Sequence, residues 1–147
     1  MEESGTMDFL GTFYFNLDDK NRLILPAKWR ATLSSDVVIS QGYDGALELR
    51  SLAKFQEYYN NELSLLDFKN KNARLMLRKF LGNAANLVVD RAFRILIPNH
   101  LIQLAEIQRE VCLVGLGSVI EIWDASKYAE FQKQNINTLE TASENLS

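Results

Sequence analysis

From Phe9 to Leu17 the apolar side chains fall on Phe9, Phe13, Phe15 and Leu17, with Thr12 and Asn16 on the other face. That period of two predicts a strand. Asp18-Asp-Lys-Asn21 is turn chemistry, and Arg22–Leu25 resumes an extended aliphatic pattern up to Pro26, so the opening segment reads as a hairpin. Pro26 suits the first turn of a short helix over Ala27–Leu33. A strand over Val37–Ser40 leads into the turn Gln41-Gly-Tyr-Asp-Gly45 and a second extended run, Ala46–Arg50. Ser51 is then an N-cap for a helix from Leu52 to about Leu63.

The second half of the chain repeats this order. Asn86–Val89 reads as a strand, Asp90–Phe93 as a turn, and Arg94–Ile97 as a strand ending at Pro98. A short helix over His100–Ala105, a strand over Val111–Val114, a turn at Gly115-Leu-Gly-Ser118, a strand over Val119–Trp123 and a helix over Ser126–Gln134 complete it. Asp18-x-x-x-Arg22-Leu-Ile-Leu-Pro26 and Asp90-x-x-x-Arg94-Ile-Leu-Ile-Pro98 share one spacing, and Leu47-Glu48-Leu49 matches Ile120-Glu121-Ile122. The two halves read as diverged copies of one unit. The strands and short helices imply an α+β chain, with a first half over residues 7–63, an inserted helix within 64–82, a second half over 83–134, and a flexible tail over 135–147. Residues 1–6 precede the patterned sequence and are expected to be a disordered extension. In the inserted helix, Asp67 to Leu81 with Gly82 as its C-cap, Ala73, Met76, Leu77 and Phe80 form the apolar face and Lys71, Arg74 and Arg78 a basic stripe.

Composition changes this picture in one respect. The chain of 147 residues is 47% hydrophobic and 10% aromatic, enough for a folded core. A unit of about 60 residues is marginal alone, so each copy is expected to pack on the other. The net charge is −3, yet the positive residues gather around the two Asp-x-x-x-Arg motifs and the inserted helix, while the acids lie in the flanks and tail. A local anion-binding face inside an acidic protein has that distribution. The one cysteine, Cys112, excludes an intramolecular disulfide and sits in an apolar run, so it reads as a small buried hydrophobe. No segment has the apolar length of a membrane span and the first residues lack a leader pattern, so a cytoplasmic protein is expected.

Catalytic chemistry finds no support. His100 is the one histidine and has no nucleophile or metal partner at a telling spacing, and phosphate-loop and dinucleotide motifs are absent. Asp18 and Asp19 are adjacent acids in a turn, where carboxylates commonly bond to backbone rather than move protons. No enzyme, metal, cofactor or small-molecule substrate is expected. Trp29, Tyr58, Tyr59, Trp123 and Tyr128 have apolar neighbours and are read as core or interface residues rather than base platforms. The basic stripe of the inserted helix is assigned to packing or subunit contact.

The Asp-x-x-x-Arg turns admit two readings. Asp18 and Asp90 could pin their turns by accepting backbone N–H bonds and pair with Arg22 and Arg94 merely to close the hairpin. Alternatively, the arginines project toward phosphates and guanine edges. Recurrence in register, with a further basic residue in each copy (Lys20 in the first, Arg91 in the second), favours the second reading.

At these residues the chain resembles the MraZ family of bacterial regulators, built from two AbrB/SpoVT-type halves. The resemblance rests on Leu10-Gly-Thr-Phe13, Leu17 to Arg30, Gly42-Tyr-Asp-Gly-Ala-Leu47, Asn72-Ala-Arg74, Val89 to Pro98, Val111 to Gly117 and Ile120-Glu-Ile-Trp123. It implies two swapped-hairpin halves forming a small β-barrel flanked by short helices, and ring-like homo-oligomers associated with the nucleoid. It further implies regulation of the division and cell-wall gene cluster through promoter direct repeats in double-stranded DNA. DNA contacts are implied at Asp18–Arg22, including Lys20 and Asn21, at Asp90–Arg94, including Arg91, and at Arg30 just after the first motif. The second copy has Ile102 where the first has Arg30. The family usually has glycine before the motif arginine, where this chain has Asn21 and Phe93. Asparagine tolerates positive φ. Phenylalanine there is costly, so the second turn is expected to take another conformation or to use Phe93 as a contact. Ala92 also replaces a commonly polar residue, which weights DNA contact toward the first turn. Two rivals stand beside the regulator: an AbrB-like antitoxin with a toxin-binding tail, and a ring-forming protein scaffold without DNA binding.

Overall fold

Eight strands and five helices follow one another along the computed structural model, which describes residues 7–146. The extension expected over residues 1–6 lies outside the described residues. The first half contributes β1 (Phe9–Asn16), β2 (Arg22–Ile24), β3 (Asp36–Gln41), β4 (Leu47–Ser51) and helix α1 (Leu52–Asn61). Helix α2 (Lys71–Phe80) follows. The second half contributes β5 (Ala85–Val88), β6 (Arg94–Leu96), α3 (Asn99–Leu104), β7 (Glu110–Gly117), β8 (Ile120–Asp124) and α4 (Ala125–Asn135), and α5 (Leu139–Asn145) lies in the tail. The helix starts follow the side chains that satisfy free N–H groups: Ser51 accepts from the Lys54 amide, Asn70 from Ala73, and Asp124 from Lys127.

Local pattern and structure part in four places. The helix expected over Ala27–Leu33 is only a 3-10 turn at Ala27–Trp29, with the Leu33 amide bonded back to the Trp29 carbonyl. The turn expected at Gly115–Ser118 is strand as far as Gly117, because β1 pairs with β7 along its whole length, from Phe9 opposite Gly117 to Asn16 opposite Glu110. Gly115 suits this pairing, since a Cβ there would stand 2.7 Å from the Phe9 carbonyl carbon. On α2 only Ala73 and Phe80 of the expected apolar face are buried, and Met76 is exposed. The tail, expected to be flexible, includes α5, whose residues are all exposed.

The strand order in the large antiparallel sheet is β1-β7-β8-β4-β3-β5, and β2 pairs with β6 in a separate two-stranded ribbon. The first strand of each half thus pairs with the third strand of the other: β1 with β7, and β5 with β3. The expected closed barrel is not formed. β1 and β5 end the sheet on opposite sides without meeting, and the ribbon covers the core face instead. Equivalent residues of the two halves face each other at two central places, Leu23 opposite Ile95 in the ribbon and Glu48 opposite Glu121 between β4 and β8. The glutamates would repel across the strands. Arg50 Nη1 donates to Glu48 at 2.8 Å, and Trp123 Nε1 donates to Glu121 at 2.9 Å. Burial, with Glu48 and Asp44 nearby, still pushes the Glu121 carboxyl above its ordinary value.

The main core lies between the ribbon and one sheet face. Leu23, Leu25, Ile95 and Ile97 meet Val37, Ile39, Leu47, Leu49, Leu113 and Ile122, with Trp29 and Leu101 closing the ends. Trp29 stacks edge-on with Phe9 and Phe13 at 5.5 and 5.2 Å. On the opposite face, Cys112, Trp123 and Ala125 pack under Tyr128 and Phe131 of α4. Trp29 and Trp123 are core residues as expected, Tyr58 and Tyr128 are half-buried, and Tyr59 is exposed. Leu23 and Ile95 are both fully buried and belong to different halves. Either replaced by alanine should lower unfolding free energy by about 2–5 kcal/mol, read from urea denaturation as one cooperative transition rather than two.

Candidate nucleic-acid interface

Both hairpin turns are built by one aspartate each. Asp18 Oδ1 accepts the backbone N–H of Lys20 at 2.9 Å and of Arg22 at 2.8 Å, and its Oδ2 accepts Arg22 Nε at 2.7 Å. Asp90 repeats this with the amides of Ala92 and Arg94 and with Arg94 Nε, all at 2.9 Å. The backbone bonds match too: Asp18 N–H to the Arg22 carbonyl and Asn21 N–H to Asp18, then Asp90 N–H to Arg94 and Phe93 N–H to Asp90. The amide of Arg22, assisted by its guanidinium, holds the Asp18 carboxyl down to about 2, against partial withdrawal from water. For Asp90, desolvation opposes the shift, but the Arg94 hydrogen bonds outweigh it and the value is again lowered. The side chains of both pairs are about one-third exposed, so they contribute little to stability as ion pairs. Their consequence is orientation. Each carboxylate takes its own arginine's Nε and so fixes the plane of the guanidinium.

Asn21 and Phe93 have φ of 62° and 59°. The second turn therefore does not adopt another conformation: Phe93 takes the left-handed geometry that asparagine takes in the first. The reason lies on the far side of the chain. The Phe93 carbonyl accepts the Leu25 amide at 2.9 Å, and the Asn21 carbonyl accepts the Ile97 amide at 3.0 Å, so each left-handed residue ties its turn to the other half's strand. The Phe93 ring is 5% exposed within the main core, and the Arg30 guanidinium lies 4.8 Å from its centroid. A strain of about 1–2 kcal/mol is offset by about 1.5–3 kcal/mol of burial. A buried ring also removes Phe93 as an outward contact.

The ribbon register is Arg22 opposite Leu96, Leu23 opposite Ile95, and Ile24 opposite Arg94. Leu23 and Ile95 point into the core, so Arg22, Ile24, Arg94 and Leu96 share the outward face. Arg94 Nη1 lies 4.0 Å from Asp18 Oδ2, which brings the two motifs together across the halves. Lys20 and Arg91 are exposed on the two turns. Arg30 is exposed as well, but it sits at the second turn, where a cavity of about 190 Å³ is lined by Arg30, Ser34, Ser35, Asp90, Arg91 and Phe93. Ile102, its counterpart in the second copy, packs against the core and offers no cation. The motif residues thus lie on one face. Sequence reasoning passed over Ile24 and Leu96, which are 42% and 56% exposed there. In the runs Arg22-Leu-Ile-Leu and Arg94-Ile-Leu-Ile every residue after the arginine is aliphatic, so alternation does not reveal which one faces out.

The other sequence candidates lie elsewhere. The exposed His100 ring is 3.1 Å from the Asn83 carbonyl, and Cys112 is fully buried, which pushes its thiol up. Arg74 of α2 donates from Nη1 to the carbonyls of Phe68 and Lys69 in the turn that precedes its own helix. Among the described residues no group of three or more His, Cys, Asp or Glu side chains could hold a metal ion, and no helix is long and apolar enough to cross a membrane.

A family model described as "MraZ protein, putative antitoxin-like" matches the chain twice, over residues 9–79 and 80–147. The chain belongs to the MraZ family. Among similar proteins, one from Mesoplasma florum is 38% identical over 141 residues, covering 95% of this chain and 96% of the relative. One from Mycoplasmoides gallisepticum is 36% identical, covering 94% and 96%, and one from Tropheryma whipplei is 40% identical, covering 86% and 87%. All three carry the name "Transcriptional regulator MraZ". The double match to the MraZ model falls on the two halves that carry the two turns.

Two outcomes follow from the turn geometry. A carboxylate whose folded value is depressed adds stability above its unfolded value, and that stability is lost as pH falls through the folded one. For Asp18 the window runs from its ordinary 3.8 down to about 2. Asp18→Asn should therefore flatten the acid limb of the stability profile across that window, measured by thermal melts at stepped pH. Phe93→Gly relieves the strained φ but empties the core site, and should destabilise by about 1–2 kcal/mol in urea, whereas Asn21→Gly should be neutral to within about 0.5 kcal/mol.

Proposed function

We propose that this protein is a sequence-specific, DNA-binding transcriptional regulator without catalysis or cofactor. In this reading it acts on the division and cell-wall gene cluster, binding promoter direct repeats as a ring-like homo-oligomer in the nucleoid. The observation that carries the reading is the pair of matching turns on one face. In each, an aspartate fixes the arginine by its Nε, and both arginines, about one-third exposed, stand on the outward face of the ribbon. The names of the relatives support the same role. A guanidinium held in this way can take guanine O6 and N7 in a major groove, and a two-stranded ribbon fits the width of that groove. Lys20 and Arg91 at the turns and Arg30 beside the second turn contact phosphates and set register. Phe93 acts on the backbone of its turn with its ring buried, while Asn21 stands with Lys20 and Arg22 among the DNA contacts of the first turn. The halves serve as two swapped-hairpin units, over residues 7–63 and 83–134, with the segment 64–82 between them. Repetition of the face around a ring lets modest contacts add through multivalency.

Arg22→Ala should weaken binding to the duplex upstream of this gene by at least about tenfold in a gel shift while leaving the melting temperature unchanged. Undiminished binding by that variant would count decisively against the reading. Wild-type affinity should fall steeply between about 50 and 200 mM salt, and footprinting should protect evenly spaced repeats. A scaffold without DNA binding would show neither.

A further inference from the structure

We infer that Ile24 and Leu96 are base-reading residues, seating against the 5-methyl groups of thymines in the groove entered by Arg22 and Arg94. The inference rests on the DNA-binding reading above and deepens it. Three observations carry it. First, these two side chains are 42% and 56% exposed although β2 and β6 are otherwise anchored by the fully buried Leu23 and Ile95. Second, they stand on the arginine face itself. Leu96 is directly opposite Arg22, and Ile24 is directly opposite Arg94, so each guanidinium has an aliphatic partner from the other half. Third, Asp18 and Asp90 are tied to Arg22 and Arg94, and the exposed Lys20, Arg91 and Arg30 at the adjoining turns outnumber the one other acid there, Asp19, a balance that suits a polyanion better than an apolar protein partner.

The dimensions agree with a duplex. Directly opposed residues in an antiparallel pair have Cβ atoms about 4.5–5.5 Å apart, and successive base pairs are about 3.4 Å apart. An arginine and its aliphatic partner therefore fall one or two base steps from each other. The major groove offers an apolar side chain one specific feature, the thymine methyl, while guanine offers the arginine its two acceptors. Each turn then presents a two-part reading head, cationic from one half and aliphatic from the other.

The test uses the full chain and a duplex selected by it from a random pool, remade with deoxyuridine for every thymine so that only the methyls are lost. Wild-type protein should bind the deoxyuridine duplex more weakly, by about fourfold for each methyl contacted. Ile24→Ser and Leu96→Ser, each at an exposed site, should reduce that preference singly and abolish it together. Equal wild-type affinity for the two duplexes overturns the inference while leaving the regulator reading intact, and so does a full preference retained by the double variant. Failure to select or bind any duplex overturns the DNA-binding reading itself.

Discussion

The exchange of backbone bonds between β2 and β6 is the constraint on which the rest depends. Neither short strand belongs to the large sheet, and each has the other half's strand as its partner. The Leu25 amide ends on Phe93 and the Ile97 amide on Asn21, so the turn of one half is closed by the chain of the other. A buried amide left unpaired would cost about 1–3 kcal/mol, and both turns would lose their anchor together. The same pairing sets Leu23 against Ile95 at the centre of the core. Half a chain of this size could bury too little apolar surface to hold such turns by itself.

That pairing also accounts for the unequal treatment of equivalent residues. Positive φ at the position before the arginine follows from where its carbonyl must point, not from the residue type. Asparagine meets the demand cheaply, whereas phenylalanine meets it with its ring in the core and beneath Arg30. Arg30 is thereby drawn from the first half to the second turn, beside Arg91. The second motif, lacking a basic residue at Ile102, acquires one from its neighbour. The two turns differ in sequence and in charge more than they differ in shape.

A division of labour runs through the face. Aspartates contribute little as ion pairs at this exposure, but they fix the arginines, and fixed donors lose less entropy when they meet a ligand. Exposed aliphatics on the same strands would be a liability in a solvated ribbon. Their presence beside ordered cations is consistent with a surface that becomes covered.

Much of this was legible in the chain. The spacing of Asp18 and Arg22, repeated at Asp90 and Arg94, foretold the turns, because a carboxylate bonding amides two and four residues on is a local matter. The cap at Ser51 and the strands on either side of the turns followed from equally short-range chemistry. What only the tertiary structure decided was everything that joins distant residues. The open sheet in place of a barrel depends on which strand each edge finds. The strand through Gly117 depends on β1 lying alongside, and the left-handed Phe93 on a bond from Leu25. The outward turn of Ile24 and Leu96 was hidden because an unbroken aliphatic run has no polar face to mark its direction. It took the register of two strands 72 residues apart to say which side chains are buried and which are shown.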